Sequence, residues 1–232
     1  MDDTQPVRSP WTKKHERGRE REDKRVAVLR TAAQVFNEKG FHTASLDEVA
    51  ERLNVTKPTL YYYVKSKDEI LFQCVRIGLQ MIRDAIAEAS ESSGTAIDKL
   101  AAAMRRYAEA VTMDFGKCVI CVGEEPLPPD HRRTLRRLKA DIDHEFRHLI
   151  EQAVAEGTLA QVDPKLAAFT LAGALSWIGR WYRPDGELSS EQVAEQCIAL
   201  LMYGLLPRNE AGTANQRMAR ADPRMRHDVG VK

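Results

Sequence analysis

Apolar residues recur every three or four positions along most of the chain, which is the period of an amphipathic α-helix. In the first such stretch Val26, Leu29, Ala33 and Phe36 share one face, and Gly40 follows as a C-terminal stop. No stretch alternates apolar and polar residues in the manner of a β-strand. The pattern therefore predicts an all-α protein.

Two short helices are predicted next, separated by a turn of a few residues. The first of them begins at Ser45, because Ser45 and Glu48 have the spacing of a capping box. The other begins at Thr56 and runs to about Val64. Pro58 lies in its first turn, where a missing N–H costs little. This arrangement is a short helix, a turn and a second short helix.

Five longer helices are predicted beyond these, and each starts at a residue type that caps helix N-termini. The longest spans about 25 residues, or roughly 38 Å at the rise of an α-helix. The five predicted starts are Ser66, Thr95, Asp130, Asp163 and Ser189.

The segment DFGKCVICVGEEPLPPD, residues 114–130, interrupts the helical pattern with two glycines and three prolines, and irregular structure is predicted there. Within it Cys118 and Cys121 form a C-x-x-C pair, which is typical of a redox switch or half of a metal site. Lining of a pocket and plain packing are the alternatives. Cys74 and Cys197 lie on apolar helical faces and are predicted to be core residues.

The composition is that of a globular protein, with 43% apolar and 30% charged residues in 232. A formal net charge of +1 excludes a uniformly basic nucleic-acid binder but leaves room for a local basic surface. No apolar stretch follows Met1, so a cytoplasmic protein without disulfides is expected. The longest apolar run, residues 166–182, is too short to cross a bilayer and predicts a buried helix.

Three consecutive tyrosines, Tyr61, Tyr62 and Tyr63, lie in the third predicted helix. Neighbours in a helix point about 100° apart, so the three rings cannot all face one core and at least one points outward. Two short helices braced by a preceding one are the layout of a helix-turn-helix, whose second helix enters the DNA major groove. Outward tyrosines there have a use as DNA contacts, with Lys57 and Lys67 beside them as phosphate contacts.

The string AAQVFNEKGFHTASLDEVAERLNVTKPTLYYYVKSKDEIL resembles the N-terminal domain of the TetR/AcrR transcriptional regulators. The resemblance covers residues 26–72. One departure is visible, because Tyr63 and Val64 stand where many members have histidine and phenylalanine after paired tyrosines. The phosphate contact that the histidine makes in those members would then come from the phenol of Tyr63.

The resemblance implies an N-terminal three-helix helix-turn-helix DNA-binding domain, residues 26–72, and a C-terminal helical ligand-binding and dimerisation domain, residues 73–207. A flexible basic arm is predicted at residues 1–25 and a disordered tail at 208–232. The implied protein is a homodimer that binds double-stranded operator DNA, with Leu60 facing the domain core. The implied DNA contacts are Thr43, Ser45, Thr56, Lys57, Pro58, Thr59, Tyr61, Tyr62, Tyr63 and Lys67.

The stretch WIGRWYRPDGELSSEQVAEQ is similar to one in TetR-type regulators that respond to acyl-CoA or related carboxylic acids. This similarity implies a repressor that such a small effector releases from its operator. Packing at the dimer interface is the other interpretation of these aromatic residues. The candidate ligand-binding residues are Phe115, Cys118, Cys121, Trp177, Arg180 and Trp181.

HEFRH, residues 144–148, has the H-E-x-x-H pattern of zinc proteases. On a helical wheel His144 and His148 fall opposite the apolar stripe, beside several arginines, so a solvated charged face is the preferred interpretation. A docking surface for a phosphorylated ligand is the second. An alternative function is a redox-responsive regulator that uses Cys118 and Cys121, and a remote one is a zinc hydrolase that uses His144, Glu145 and His148. The sequence thus predicts a non-enzymatic regulator without a cofactor.

Overall fold

The computed structural model describes residues 19–204, and this part of the chain contains nine α-helices and no β-strand. The predicted all-α fold is confirmed. The predicted tail, residues 208–232, and most of the predicted N-terminal arm lie outside the described residues. The helices are α1 (Arg19–Lys39), α2 (Leu46–Arg52), α3 (Lys57–Tyr61), α4 (Lys67–Glu91), α5 (Ala96–Ala110), α6 (Asp114–Cys121), α7 (Pro129–Ala155), α8 (Pro164–Trp181) and α9 (Ser190–Tyr203).

Helix α1 begins at Arg19 rather than near Val26, so residues 19–25 belong to a helix and not to a flexible arm. The first turn carries Glu20 and Glu22, whose negative charge is favourable at a helix N-terminus. Glu22 also pairs with Arg25 one turn later, at 3.0 Å. The prediction missed this turn because it followed apolar periodicity, and charge pairing stabilises the turn instead.

Helices α1, α2 and α3 pack around one small core and form the N-terminal head. Leu29 and Phe36 of α1, Val49 of α2 and Leu60 of α3 are all buried in it. The burial of Leu60 agrees with the sequence-based prediction. Phe41, in the turn after α1, packs edge-on against Phe36 with ring centroids 5.4 Å apart and closes this core.

Most of the predicted helix starts are N-cap residues, whereas α7 begins at Pro129, one residue before the predicted Asp130. The two bonds of a capping box form at only some of these starts. Thr95 of α5 and Ser189 of α9 make both bonds of the box. Ser45 and Ser66 each accept one main-chain N–H without the reciprocal bond. At Ser45 the reason is that Glu48 forms ion pairs with neighbouring basic side chains instead.

Helix α4 has 25 residues, as predicted, and it packs against both the head and the C-terminal helices. Its buried residues Ile70 and Leu71 lie at the end next to the head. Farther along, Ile82 and Ile86 lie among the C-terminal helices. A single rigid element therefore joins the two parts of the molecule.

Helix α6 lies in the segment that was predicted to be irregular, and that prediction is wrong for residues 114–121. Gly116 is inside the helix, where a Cβ would overlap the main-chain carbonyl oxygen of Ala110. A Cβ on Gly78 of α4 would likewise overlap the carbonyl of Phe115. Gly116 thus permits close packing and does not break the helix. The prolines follow only after α6 has ended.

The C-terminal helices α5, α7, α8 and α9 pack with α4 around a second region of the core. Helices α8 and α9 nevertheless leave large apolar side chains exposed. Within residues 19–204, no helix combines the length and the apolar character needed to span a membrane. The exposed apolar residues on these two helices are Leu166, Phe169, Trp177, Trp181, Leu200 and Tyr203.

Candidate functional site

The turn between α2 and α3 fixes the angle between the two helices. Asn54 adopts a φ of 54°, in the left-handed region that asparagine tolerates better than most residues. The next residue, Val55, donates its main-chain N–H to the carbonyl of Ala50 at 2.9 Å. Together with the buried Leu60, these contacts hold α3 in one orientation against α2. The result is a helix-turn-helix, as the sequence predicted.

The three tyrosines face in different directions around α3 and its C-terminal end. Tyr61 is 49% exposed and Tyr62 is 65% exposed, whereas Tyr63 is half-buried against the core. The rings of Tyr62 and Tyr63 meet edge-on with centroids 5.1 Å apart. Two of the three tyrosines therefore face solvent. Helix α3 ends at Tyr61, earlier than the predicted end near Val64.

Lys57, at the start of α3, pairs with Asp47 in the first turn of α2 at 2.8 Å. The hydrogen bond from Lys57 lowers the pKa of Asp47, and the same contact raises the pKa of Lys57. Both side chains are therefore charged at neutral pH. Because the pair is exposed, a phosphate group is able to compete with Asp47 for the ammonium.

Five other predicted DNA contacts, Thr43, Ser45, Thr56, Pro58 and Thr59, belong to α3 or to the segments before α2 and α3. Thr56 and Thr59 share a hydroxyl–hydroxyl bond of 2.8 Å, and Thr56 makes no capping bond to a main-chain N–H. Ser45 caps α2 by accepting from the N–H of Asp47. The others, Thr43 and Pro58, are exposed.

Lys67 opens α4 and reaches the loop between α1 and α2. Its Nζ lies 4.6 Å from the ring centroid of Phe41 and donates to the main-chain carbonyl of His42 at 3.3 Å. This contact ties the N-terminus of α4 to the loop that carries Thr43. The ammonium is thus fixed beside the residues predicted to contact phosphate.

Sequence reasoning missed the basic first turns of α1. The guanidinium of Arg21 lies 5.1 Å from the ring centroid of Tyr62, in cation–π contact. Arg21, Glu22, Arg25 and Tyr63 line a shallow depression next to this contact. The charge pattern of residues 19–25 is a signal for a helix, but apolar periodicity alone does not detect it. The exposed surface of the head therefore extends from α3 to α1.

A cavity of about 300 Å³ lies among the C-terminal helices, and its wall is mostly apolar. Ile82 comes from α4, Val119 and Ile120 from α6, and Phe146 from α7. The full lining is Leu79, Ile82, Tyr107, Val119, Ile120, Lys139, Ile142, Asp143, Phe146, Ala168, Phe169, Ala172 and Ser176.

Two pairs of polar groups reach this cavity. The hydroxyls of Tyr107 on α5 and Ser176 on α8 are 2.7 Å apart, and burial raises the pKa of Tyr107, so it stays a neutral phenol. Lys139 and Asp143 lie one turn apart on α7. Lys139 pairs with Glu124 at 2.7 Å, and Asp143 pairs with an arginine of its own helix.

None of the six predicted ligand-binding residues lines this cavity. Phe115 and Cys118 are buried, and the thiol of Cys121 lies 3.5 Å from the carbonyl of Gly179. Arg180 donates to the carbonyl of Ile120 at 3.0 Å. The reason is the helical geometry of α6, which directs residues 119 and 120 into the cavity and residues 118 and 121 elsewhere. Trp177 and Trp181 are both exposed on α8.

A second apolar cavity, of about 400 Å³, lies on the opposite side of α8. Leu100 of α5, Ile150 of α7 and Leu201 of α9 contribute to its wall. Its one charged side chain, Asp163, already caps α8 by accepting from the N–H of Leu166. This cavity therefore provides little polar chemistry with which to select a ligand.

The thiols and the H-E-x-x-H residues were candidates for a redox switch and for a zinc site, respectively. Burial raises the pKa of Cys118 to about 12, and Cys74 and Cys121 are also shifted upward by burial, which disfavours the reactive thiolates of a redox switch. His144 and His148 are exposed on α7. In the part of the chain that the structure describes, no three His, Cys, Asp or Glu side chains cluster in a way that would hold a metal ion.

Comparison with known protein families gives two matches. Residues 28–74 match the model of the bacterial regulatory proteins of the tetR family. Residues 93–205 match the model of the tetracyclin repressor-like C-terminal domain. The first match covers the helix-turn-helix, and the second covers the exposed faces of α8 and α9 and all of the cavity lining except its α4 residues.

Individual relatives resemble the chain over most of its length. A TetR/AcrR-family transcriptional regulator from Thermobifida fusca is 31% identical, with a TM-score of 0.62 over 80% of this chain and 100% of that one. AibR, whose crystal structure was determined in complex with isovaleryl coenzyme A and operator DNA, is 25% identical to this chain. Its TM-score is 0.69, over 77% of this chain and 97% of the AibR chain. The transcriptional repressor KstR2 of Mycolicibacterium smegmatis is 23% identical over 78% of this chain and 90% of its own.

Proposed function

Because the chain belongs to the TetR family of DNA-binding transcriptional regulators, we propose that it is a homodimeric repressor that a small effector releases from its operator. The proposed effector is an acyl-CoA or a related carboxylic acid. The observation that carries the DNA-binding part is the exposure of Lys57 and Tyr61 on one small helix, and of Tyr62 directly after it, while Leu60 anchors the buried side of the helix in the head.

Helix α3 is the proposed recognition helix. An exposed tyrosine offers a flat ring for thymine methyl groups and sugars and a hydroxyl for a phosphate or a base edge. Lys57 supplies a phosphate contact at the N-terminal end of α3, and Lys67 supplies another at the start of α4. Arg21, in contact with Tyr62, extends this surface toward the DNA backbone.

The proposed dimer forms through the exposed apolar faces of α8 and α9. Trp177 is 61% exposed, and an apolar patch built from several such side chains is typical of an interface between protein subunits. Two heads related by a two-fold axis bind a palindrome whose half-sites are roughly 34–36 Å apart. The proposed location is the cytoplasm, where a regulator that binds chromosomal DNA acts.

The effector is proposed to bind in the cavity of about 300 Å³. Its apolar wall suits an acyl chain, and Lys139 supplies a positive charge for a carboxylate or for the CoA part of a thioester. The AibR complex contains isovaleryl coenzyme A, which is a short branched acyl-CoA. That relative supports the class of effector proposed here.

Release from DNA requires that the effector favour a conformation in which the two heads no longer match the operator. The effector shifts this equilibrium only by its difference in affinity between the two conformations. Helix α4 is suited to transmit the change, because Ile82 lines the cavity while Ile70 packs beside the head. By linkage, saturating operator DNA must weaken effector binding by the same factor.

Fluorescence polarisation with a labelled duplex tests the DNA-binding proposal. The duplex is taken from the DNA upstream of the protein's own gene, and a scrambled duplex serves as the reference at about 0.15 M salt, where non-specific binding is weak. Lys57→Ala is expected to lower the slope of log affinity against log salt concentration by about one, the value for one phosphate contact. Tyr61→Ala is expected to weaken the free energy of operator binding by about 1–3 kcal/mol. Lys99→Ala, on α5, is the control and should change neither.

Preference for the upstream duplex by about a thousandfold, lost in part in both head variants, supports the proposal. Unchanged affinity in the Lys57 and Tyr61 variants contradicts it. If the wild type binds the two duplexes equally, a binding sequence is selected from random duplexes, and failure to obtain a preferred sequence contradicts the proposal.

A further inference from the structure

We infer that the effector carries a neutral carbonyl oxygen on the buried end of its apolar part, in addition to the carboxylate or thioester. The inference rests on the proposed function, since it concerns the chemistry of the same effector. Tyr107 and Ser176 would bind that carbonyl, and Lys139 would face the acid or thioester end. The ligand class is therefore an oxo-acid or its acyl-CoA thioester.

The first observation is the number of hydrogen atoms that the hydroxyl pair has available. Tyr107 and Ser176 each carry one O–H, and their mutual bond of 2.7 Å uses one of the two. Within residues 19–204 no second acceptor receives the other hydrogen from either hydroxyl. Both residues line the cavity, so that O–H is available to a molecule inside it.

The second observation is the difference in exposure between Tyr107 and Lys139. Tyr107 is 7% exposed, whereas the side chain of Lys139 is 41% exposed. The phenol therefore lies at the buried end of the cavity, with the half-buried Ser176 bonded to it, and the lysine lies nearer to solvent. Apolar side chains, among them Ile142 and Phe146, line the wall with them. A ligand that satisfies both ends has an apolar middle and a polar group at each end.

The kind of polar group at the buried end follows from charge. The charged side chains on the cavity wall are Lys139 and Asp143, both more exposed than Tyr107, and neither Tyr107 nor Ser176 carries a charge. A carboxylate at the buried end would lose its hydration without gaining a counter-ion, which is costly. A neutral carbonyl needs only one donor, and the free O–H supplies it. An oxo group fits both conditions.

At the other end of the cavity one carboxylate faces two cations, which leaves one positive charge in excess. Glu124 is buried and accepts from Lys139 and Arg136, so Lys139 belongs to a small ionic network at the edge of the cavity. An ammonium has three donors, of which one is used by Glu124. Lys139 is therefore able to bind a ligand carboxylate or a thioester oxygen without leaving Glu124.

A matched pair of ligands tests the inference. Octanoic acid is compared by calorimetry with its keto derivative whose carbonyl lies on the penultimate carbon, and the CoA thioesters of both are compared in a second series. The protein is the full chain, as wild type, as Tyr107→Phe, as Ser176→Ala and as the double variant. Tyr182→Phe, which removes a phenol outside the cavity lining, is the matched control.

Wild type and the control are expected to bind the keto compound about tenfold more tightly than the plain compound in at least one series. Each single variant keeps one O–H and should keep the preference. The double variant, which has no donor left, should bind both compounds equally. Thermal unfolding shows whether it is folded, and replacing both partners by apolar groups of similar shape is expected to cost little stability.

The inference is overturned if wild type does not prefer the keto compound or if the double variant keeps the preference. A release assay on the operator complex separates this failure from failure of the proposed function. If plain and keto compounds release the operator equally, only the inference fails. If operator binds and neither series has any effect, the proposed carboxylic-acid effector fails together with the inference, while the DNA-binding proposal stands.

Discussion

The side-chain amide of Asn37 in α1 donates a hydrogen bond of 2.9 Å to the main-chain carbonyl of Asp114, the first residue of α6. Gln34, one turn earlier, donates to the carboxylate of the same aspartate at 3.0 Å. Helix α6 also carries Val119 and Ile120, which line the cavity. The head and the cavity are therefore connected through α6 as well as through α4.

Removing both amides should weaken the coupling between effector and operator. In the variant Gln34→Ala/Asn37→Ala, α1 keeps its buried apolar contacts but loses both hydrogen bonds to α6. The affinity for operator alone should change little, while the coupling free energy should fall by roughly 0.5–2 kcal/mol. Operator titrations with and without a releasing effector measure it. Gln80→Ala is the control, because that amide contacts Asp84 on its own helix; an equal change there would contradict the coupling role.

Introducing a charge on α8 should prevent dimer formation. In Trp177→Glu a carboxylate replaces an exposed ring on the proposed interface, and burying that charge against a second copy is unfavourable. Sedimentation equilibrium should show a monomer. Operator affinity should fall by roughly a hundredfold or more, because two linked heads bind with avidity. Met113→Glu alters an exposed apolar residue between α5 and α6 and should remain dimeric; a dimeric Trp177→Glu protein would place the interface elsewhere.

Glu124 should stabilise the fold in a pH-dependent way. Partial burial tends to raise its pKa, but hydrogen bonds from Lys139 and Arg136 outweigh this and the pKa is lowered from 4.5. A lowered pKa in the folded state means that the ionised carboxylate stabilises the fold above pH 4.5. This contribution is lost as the pH falls through the lowered value.

Glu124→Gln should therefore cost about 1 kcal/mol of unfolding free energy near neutral pH and progressively less below pH 4.5. Urea unfolding at several pH values, with wild type measured in parallel, gives this difference. The neighbouring exposed Glu125→Gln is the matched control and should show no such trend. A difference that stays constant from neutral to acid pH would show that the ion pairs are not its cause.

The thiols should differ in their rates of alkylation. Burial raises the pKa of Cys118 to about 12 and also raises that of Cys74, so both remain protonated and covered at neutral pH. Cys121 and Cys197 are half-buried and should react with iodoacetamide first. Peptide mass spectrometry over time, in native buffer and in urea, provides the measurement. Rapid labelling of native Cys118, or a reversible disulfide between Cys118 and Cys121, would support the redox alternative.

The sequence by itself determined most of the helices, though not α6, and the outward direction of the tyrosines. Both depend on local information, namely the 3.6-residue period, the residues that cap helix N-termini and the angle of about 100° between neighbours. Helix α3 has five residues, and its helical geometry alone directs Tyr61 outward and Leu60 inward. The packing of the C-terminal helices has no part in this. The family resemblance rested on the same local string of residues, and for this reason the fold and the class of protein followed from it.

Only the tertiary structure decided where the cavity lies and which side chains line it. Tyr107 and Ser176 are 69 positions apart, and they meet because α5 and α8 pack together. The glycines at 116 and 78 let α6 approach its neighbours closely, and in that position Val119 of α6 lines the cavity whereas Cys118 does not. A local pattern contains no information on such contacts, because they depend on how closely distant helices pack.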